Sequence, residues 1–122
     1  EEAKQRTTAT LEEAKEFEMT WLAGRAYRLL GDILVSQRKF ATARKQYEQA
    51  RRIFNDRDMK LEHARTLHHY GLLFLDMTDD TQLLQRGLSY LRVARQTFLR
   101  GGATLDVQQV ERDIAMYNEA LA

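Results

Sequence analysis

Three histidines, His63, His68 and His69, lie close together in the chain and are the first residues to test for chemistry. Metal ligands on one helix face need a spacing of three or four, and His63 and His68 are five apart, so no metal site is expected. A surface or groove-facing role suits them better, and a carboxylate beside His68 would make binding there sensitive to pH. Glu12, Glu13, Glu16 and Glu18 have nothing apolar around them to raise a pKa toward neutrality, so they do not form an acid–base pair. Gly101-Gly102 is followed by no Lys-Ser/Thr and reads as a turn, not a phosphate loop. Cysteine is absent, which removes thiolate ligands, disulfides and cysteine nucleophiles. No catalytic residue, metal or cofactor is therefore expected, and the chain does not read as an enzyme.

The chemistry left is charge and shape. Lysine and arginine number 19 against 18 acidic residues, a formal +1, which argues against a dedicated nucleic-acid module. The distribution is uneven. Residues 1–20 carry three basic and six acidic groups, whereas residues 21–54 carry eight and two. Arg38, Lys39, Arg44, Lys45, Arg51 and Arg52 make the hairpin 21–54 the place where a nucleic acid would bind, and this is the alternative reading of function. Its weakness is the shortage of aromatic side chains interleaved for base stacking. Steep loss of binding with added salt would favour it; peptide docking in apolar pockets would fall little.

The elements that must position these groups are helices. At 122 residues the chain is one domain's worth of polymer, and 43% hydrophobic with 30% charged residues suits a packed core. Proline is absent and glycine occurs only six times, so turns and breaks are few. Apolar residues recur at three- and four-residue intervals, as in Leu22, Ala26, Leu29, Leu30, Ile33 and Leu34, and no period-two alternation marks a strand. Polar clusters at 36–39, 55–58 and 78–80, and the Gly101-Gly102 stop, predict helices over about 20–36, 40–54, 60–77, 81–99 and 104–120. Asp79 or Asp80 is placed to cap the fourth. The stretch from Leu11 to Ala23 is helical in pattern too, either joined to the next helix or separate from it.

The helices pair, and the pairs repeat. Tyr27-x-x-Leu30-Gly31-x-x-Leu34 matches Leu67-x-x-Tyr70-Gly71-x-x-Phe74 at a period of 40 residues. In the second helices, Ala43-x-x-x-Tyr47-x-x-Ala50-x-x-x-Phe54 matches Gly87-x-x-x-Leu91-x-x-Ala94-x-x-x-Phe98. Small residues at a mid-helix crossing let two backbones approach, and the large residue four positions on fills the neighbouring groove. Glycine inside a helix costs roughly 1 kcal/mol against alanine, so Gly31 and Gly71 at equivalent positions predict close approach.

Over about residues 24–100 this pattern resembles the tetratricopeptide repeat family, in the long 40-residue variant of bacterial signal-transducing ATPases, LuxR-type regulators and peptide-sensing quorum regulators. It departs in having Tyr27 and Leu67 where tryptophan is commonest, and no terminal proline. The resemblance implies an all-α fold of antiparallel helix-turn-helix repeats stacked as a short right-handed α-solenoid. Residues 1–23 would be an N-terminal helix or preceding repeat, 24–63 and 64–103 the two repeats, and 104–122 a capping helix, the whole being a segment of a larger protein. It also implies a concave groove lined by the first helices, at Arg25, Arg28, Asp32, Val35 and Ser36, then Arg65, His68, Leu72, Leu75 and Asp76, with Gln109, Arg112 and Met116 continuing the row.

Arg25, Arg28, Arg65, His68 and Arg112 would form a basic stripe. Guanidinium groups favour planar carboxylates and phosphates, so the expected partner is a peptide or protein segment with acidic side chains or a free carboxylate. The same arginines read equally well as a solvated face, or as partners of Asp32, Asp76 and nearby glutamates. Trp21 is expected to pack over a preceding helix, with an interface anchor as the alternative. No run approaches the ~20 apolar residues of a membrane span and no secretory leader is present, so the expected compartment is the cytoplasm. Two repeats bury less than the ~3 usually wanted, which predicts capping by the terminal helices or self-association.

Overall fold

A computed structural model of the chain describes residues 2–122 and contains five helices joined by short turns, with no strand among the described residues. They are α1 (Glu2–Ser36), α2 (Phe40–Asp56), α3 (Lys60–Met77), α4 (Thr81–Arg100) and α5 (Thr104–Leu121). The fold is all-α, as the apolar spacing predicts. None of these helices is long and apolar enough to cross a membrane.

Each helix packs on its neighbour in sequence, and α3 additionally touches α1 and α5. Among the described residues no backbone approach joins α1 to α5 or α2 to α4; the Arg51 guanidinium of α2 reaches the Tyr90 ring of α4 through its side chain alone. Small residues set the crossings. An added Cβ on Gly31 would lie 2.6 Å from the Tyr47 ring, and one on Gly71 would lie 2.8 Å from the Gly87 carbonyl oxygen. Gly71 and Gly87 thus face each other where α3 and α4 cross, and the Tyr117 hydroxyl donates to the Gly71 carbonyl from α5. Ala43, Ala50, Ala94, Tyr47, Phe54, Leu91 and Phe98, the repeated small and large positions of the second helices, are all buried. Tyr47, Tyr70, Phe74 and Tyr90 form a chain of rings with centroids 5.2 to 5.7 Å apart for the Tyr47–Tyr70, Tyr70–Phe74 and Tyr70–Tyr90 pairs.

Three of the four turns share one geometry. Arg38, Asp58 and Gly102 take left-handed φ angles of 60°, 53° and 66°, and in each case the next residue's N–H returns to a carbonyl five residues back. Lys39 bonds Leu34 at 2.8 Å, Met59 bonds Phe54 at 2.9 Å and Ala103 bonds Phe98 at 2.9 Å, closing the last helical turn. Only the third uses glycine; Arg38 and Asp58 hold a conformation that side chains adopt at a cost. The turn from α3 to α4 is different: Thr78 is extended, and Asp80 caps α4 by accepting the Leu83 N–H at 3.1 Å.

The N-terminal segment is not a separate helix. α1 runs unbroken through 35 residues, about 52 Å of helix. Every described side chain from Glu2 to Met19 is exposed, and the end of α2 reaches only as far as Met19, Thr20 and Ala23. Of the expected 1–23 segment, Glu1 lies outside the described residues. Trp21, expected to pack over a preceding helix, lies within the continuous α1; it is half-buried, with the Arg25 guanidinium 4.6 Å from its ring centre.

Candidate peptide-binding face

The expected first-helix row falls on α1, α3 and α5, of which α3 touches the other two. Its charges are largely spent on each other. Glu62 stands between two arginines: its Oε2 is 2.9 Å from Arg28 Nη1, and its Oε1 accepts from Arg65 Nη1 at 2.7 Å. Arg28, only 9% exposed, also donates to the Glu62 carbonyl at 3.3 Å and reaches the Thr66 hydroxyl at 3.4 Å. Arg65 turns its remaining fork to Asp106 of α5, at 3.3 and 3.2 Å. The Arg28–Glu62–Arg65–Asp106 chain therefore runs from α1 across α3 to α5.

A second pair of contacts runs parallel to it. His69 Nδ1 and the Tyr47 hydroxyl both donate to Asp32, at 2.8 and 2.6 Å, and His68 Nε2 is 2.6 Å from Asp113 Oδ2. Burial raises the Asp32 carboxyl, but His69, Tyr47 and the Arg28 charge outweigh it and hold it below the ordinary value. The same balance, with Arg65 and Arg28 as partners, keeps Glu62 low. Burial pushes Tyr47 up, reinforced by Asp32.

His68 shows burial and pairing in opposition. Its hydrogen bond to Asp113 favours the imidazolium, yet burial, assisted by the charge of His69, is the larger effect and lowers its pKa. Neutral His68 then donates its Nε2–H to Asp113. Burial also lowers His63, aided by the Arg51 charge. Histidines lowered in the fold bind protons more readily when unfolded, so their contribution to stability is complete above pH ~6.5 and is lost as pH falls below it. The melting temperature should therefore drop between pH 7 and pH 5, and His68→Gln, which keeps a donor for Asp113, should flatten that slope. A pH-independent melting curve for the unmodified chain over this range would contradict the assignment.

The remaining row residues divide clearly. Ser36 turns its hydroxyl back to the Ile33 carbonyl at 2.6 Å and contributes to the helix end. Arg25, Asp76 and Arg112 are exposed and, among the described residues, make no ion pair. Val35, Leu72 and Leu75 are half-buried, whereas Gln109 and Met116 are exposed. Between α1 and α3 a cleft of about 180 Å³ is lined by Asp32, Val35, Tyr47, His69, Leu72 and Asp76. On α5, Leu105 shares an exposed face with Arg112 and Met116, at spacings of seven and four.

The sequence reading gave His69 a surface or groove-facing role but missed Glu62, Asp106, Asp113 and Leu105 on this side of the molecule. Of these only Glu62 left a signal, its i,i+3 spacing to Arg65. Across the other side, Arg44 lies 5.5 Å from the centre of the Phe74 ring and Arg51 5.5 Å from that of Tyr90, so these two basic residues of α2 cover core aromatics. Among the described residues, no cluster of three His, Asp or Glu side chains stands ready for a metal ion. Comparison of the chain with known protein families, with curated proteins and with solved structures finds no match to any of them.

Proposed function

We propose that the chain is a protein-interaction module of the tetratricopeptide type, binding an extended or helical segment of another polypeptide along the α1–α3–α5 side. In this reading it is the sensing or regulatory part of a larger signalling or transcription-regulating protein. The observation that carries it is the unfilled cleft beside a row of exposed, unpaired groups. Asp76 and Leu72 border the cleft, and Arg112, Met116 and Leu105 extend the row onto α5. A rigid backing of ion pairs holds the helices at fixed spacing, which reduces the ordering cost of binding.

The pairing of Arg28 and Arg65 narrows the ligand. With their charge answered by Glu62 and Asp106, a guest carboxylate would find Arg112 and Arg25, and a guest ammonium or guanidinium would find Asp76. The favoured guest is thus a mixed-charge segment with an apolar anchor for Leu72, Leu105 and Met116, carrying its acidic group toward α5. Peptides selected from a displayed library against the chain should lose about tenfold or more in affinity on Arg112→Ala and on Asp76→Ala, with no change in melting temperature. Unchanged affinity in both variants would reject the face.

A further inference from the structure

The outer side of α1 carries an apolar seam that, apart from the end of α2 beside Met19, none of the described residues covers. Met19, Leu22, Ala26, Leu29 and Ile33 recur at alternating intervals of three and four, on the face opposite Gly24, Arg28 and Gly31, which pack on α2 and α3. Met19 is 70% exposed, Leu22 50%, Leu29 60% and Ile33 44%. The repeat makes the vacancy concrete. Leu67, Tyr70 and Phe74 of α3 are buried because α2 lies against them, whereas their counterparts Tyr27 and Leu30 on α1 are exposed, no described helix lying against that side. The described side chains of the first half of α1 are exposed, so that half lacks the tertiary packing that sustains helices in water.

We infer that this seam is the interface of an antiparallel homodimer, α1 against α1 of a second copy, centred on Ala26. Two features select a second copy in that orientation. The apolar pattern reads alike in both directions from Ala26: leucines at Leu22 and Leu29, then Met19 and Ile33, so the same patch meets itself about a twofold axis. The small central side chain lets the helices approach there. The charges match as well. Glu12 and Glu16, flanking Lys15 beside the seam, precede Ala26 by about as many residues as Arg38 and Lys39, in the turn after α1, follow it. Antiparallel pairing sets each acidic arm over the basic turn of the other copy, whereas parallel pairing would set like charges together.

The absence of cysteine makes the test clean. The 122-residue chain should sediment at twice its 14.3 kDa at about 0.1 mM. Leu22→Glu with Leu29→Glu, both at exposed positions, should raise the dimer dissociation constant at least about 100-fold and leave helix content unchanged. Reversing Glu12 and Glu16 to lysine should weaken association about tenfold, and adding Arg38→Glu with Lys39→Glu to the same chain should restore it. Oxidised Ala26→Cys should form a covalent dimer at least about tenfold faster than Val93→Cys, an exposed site on α4. A monomer throughout this range, an open series of larger oligomers, or equal cross-linking at the two sites would each overturn the inference.

Discussion

Gly71→Leu should lower the melting temperature by about 10 °C or more, the result of a loss of at least ~3 kcal/mol. The position has no room for any side chain: even a Cβ would sit 2.8 Å from the Gly87 carbonyl oxygen and 2.9 Å from Leu91 Cδ2. A backbone oxygen cannot swing away as a side-chain tip can, so α3 and α4 must separate. That separation would also move the Gly71 carbonyl off the buried Tyr117 hydroxyl, leaving a polar group without its partner. Against these losses stands only the helix propensity that leucine gains over glycine, roughly 1 kcal/mol. Gly71→Ala should already be destabilising by a smaller amount. A melting temperature equal to that of the unmodified chain would mean that the two helices do not cross here.

Glu62→Ala should cost about 3 kcal/mol, read as a second large fall in melting temperature. Its carboxylate is the shared counter-charge of Arg28 and Arg65, and Arg28 is too buried to recover water in exchange. Arg65, which is more exposed and keeps Asp106, should contribute little to the loss. The loss belongs to the stranded arginine, not to the pair as such. Adding Arg28→Met to Glu62→Ala should therefore return part of the stability, because an apolar side chain of similar length tolerates the same site. A double variant less stable than the single would show that Arg28 is not the group left exposed to the penalty.

Local rules made much of this architecture readable. The helix ends near residues 36, 77 and 100 follow from polar clusters and a double glycine, and Asp80 caps α4 as its position suggests. Gly31, Gly71 and Gly87 announced close crossings because glycine in a helix needs a packing reason. The turns at Arg38 and Asp58 were less legible, since neither carries the glycine that usually marks a left-handed residue. The continuity of α1 is not legible in the sequence for a simple cause: no residue between Leu11 and Ala23 either breaks a helix or requires one.

Ionic partners on the α1–α3–α5 side were harder still. Arg28 meets Glu62 and Arg65 meets Asp106 across more than thirty residues of chain, so which carboxylate answers which arginine depends on how the helices stack. The row of first-helix positions lies along one side, but a stripe of like charge became a row of matched pairs with a few free groups between them. Burial is likewise a property of the stack. Tyr27 and Leu67 hold equivalent places in the two repeats, yet only Leu67 is covered, because only α3 has α2 against that face.

The most direct measurement is a map of amide chemical-shift changes in the labelled chain when a library-selected peptide is added. Binding along the proposed face should move signals around Asp32, Leu72, Asp76, Arg112 and Met116 together, leaving the solvent side of α2 and α4, at Arg52 and Arg92, in place. Changes confined to α2 and α4, or to the outer seam of α1, would contradict it.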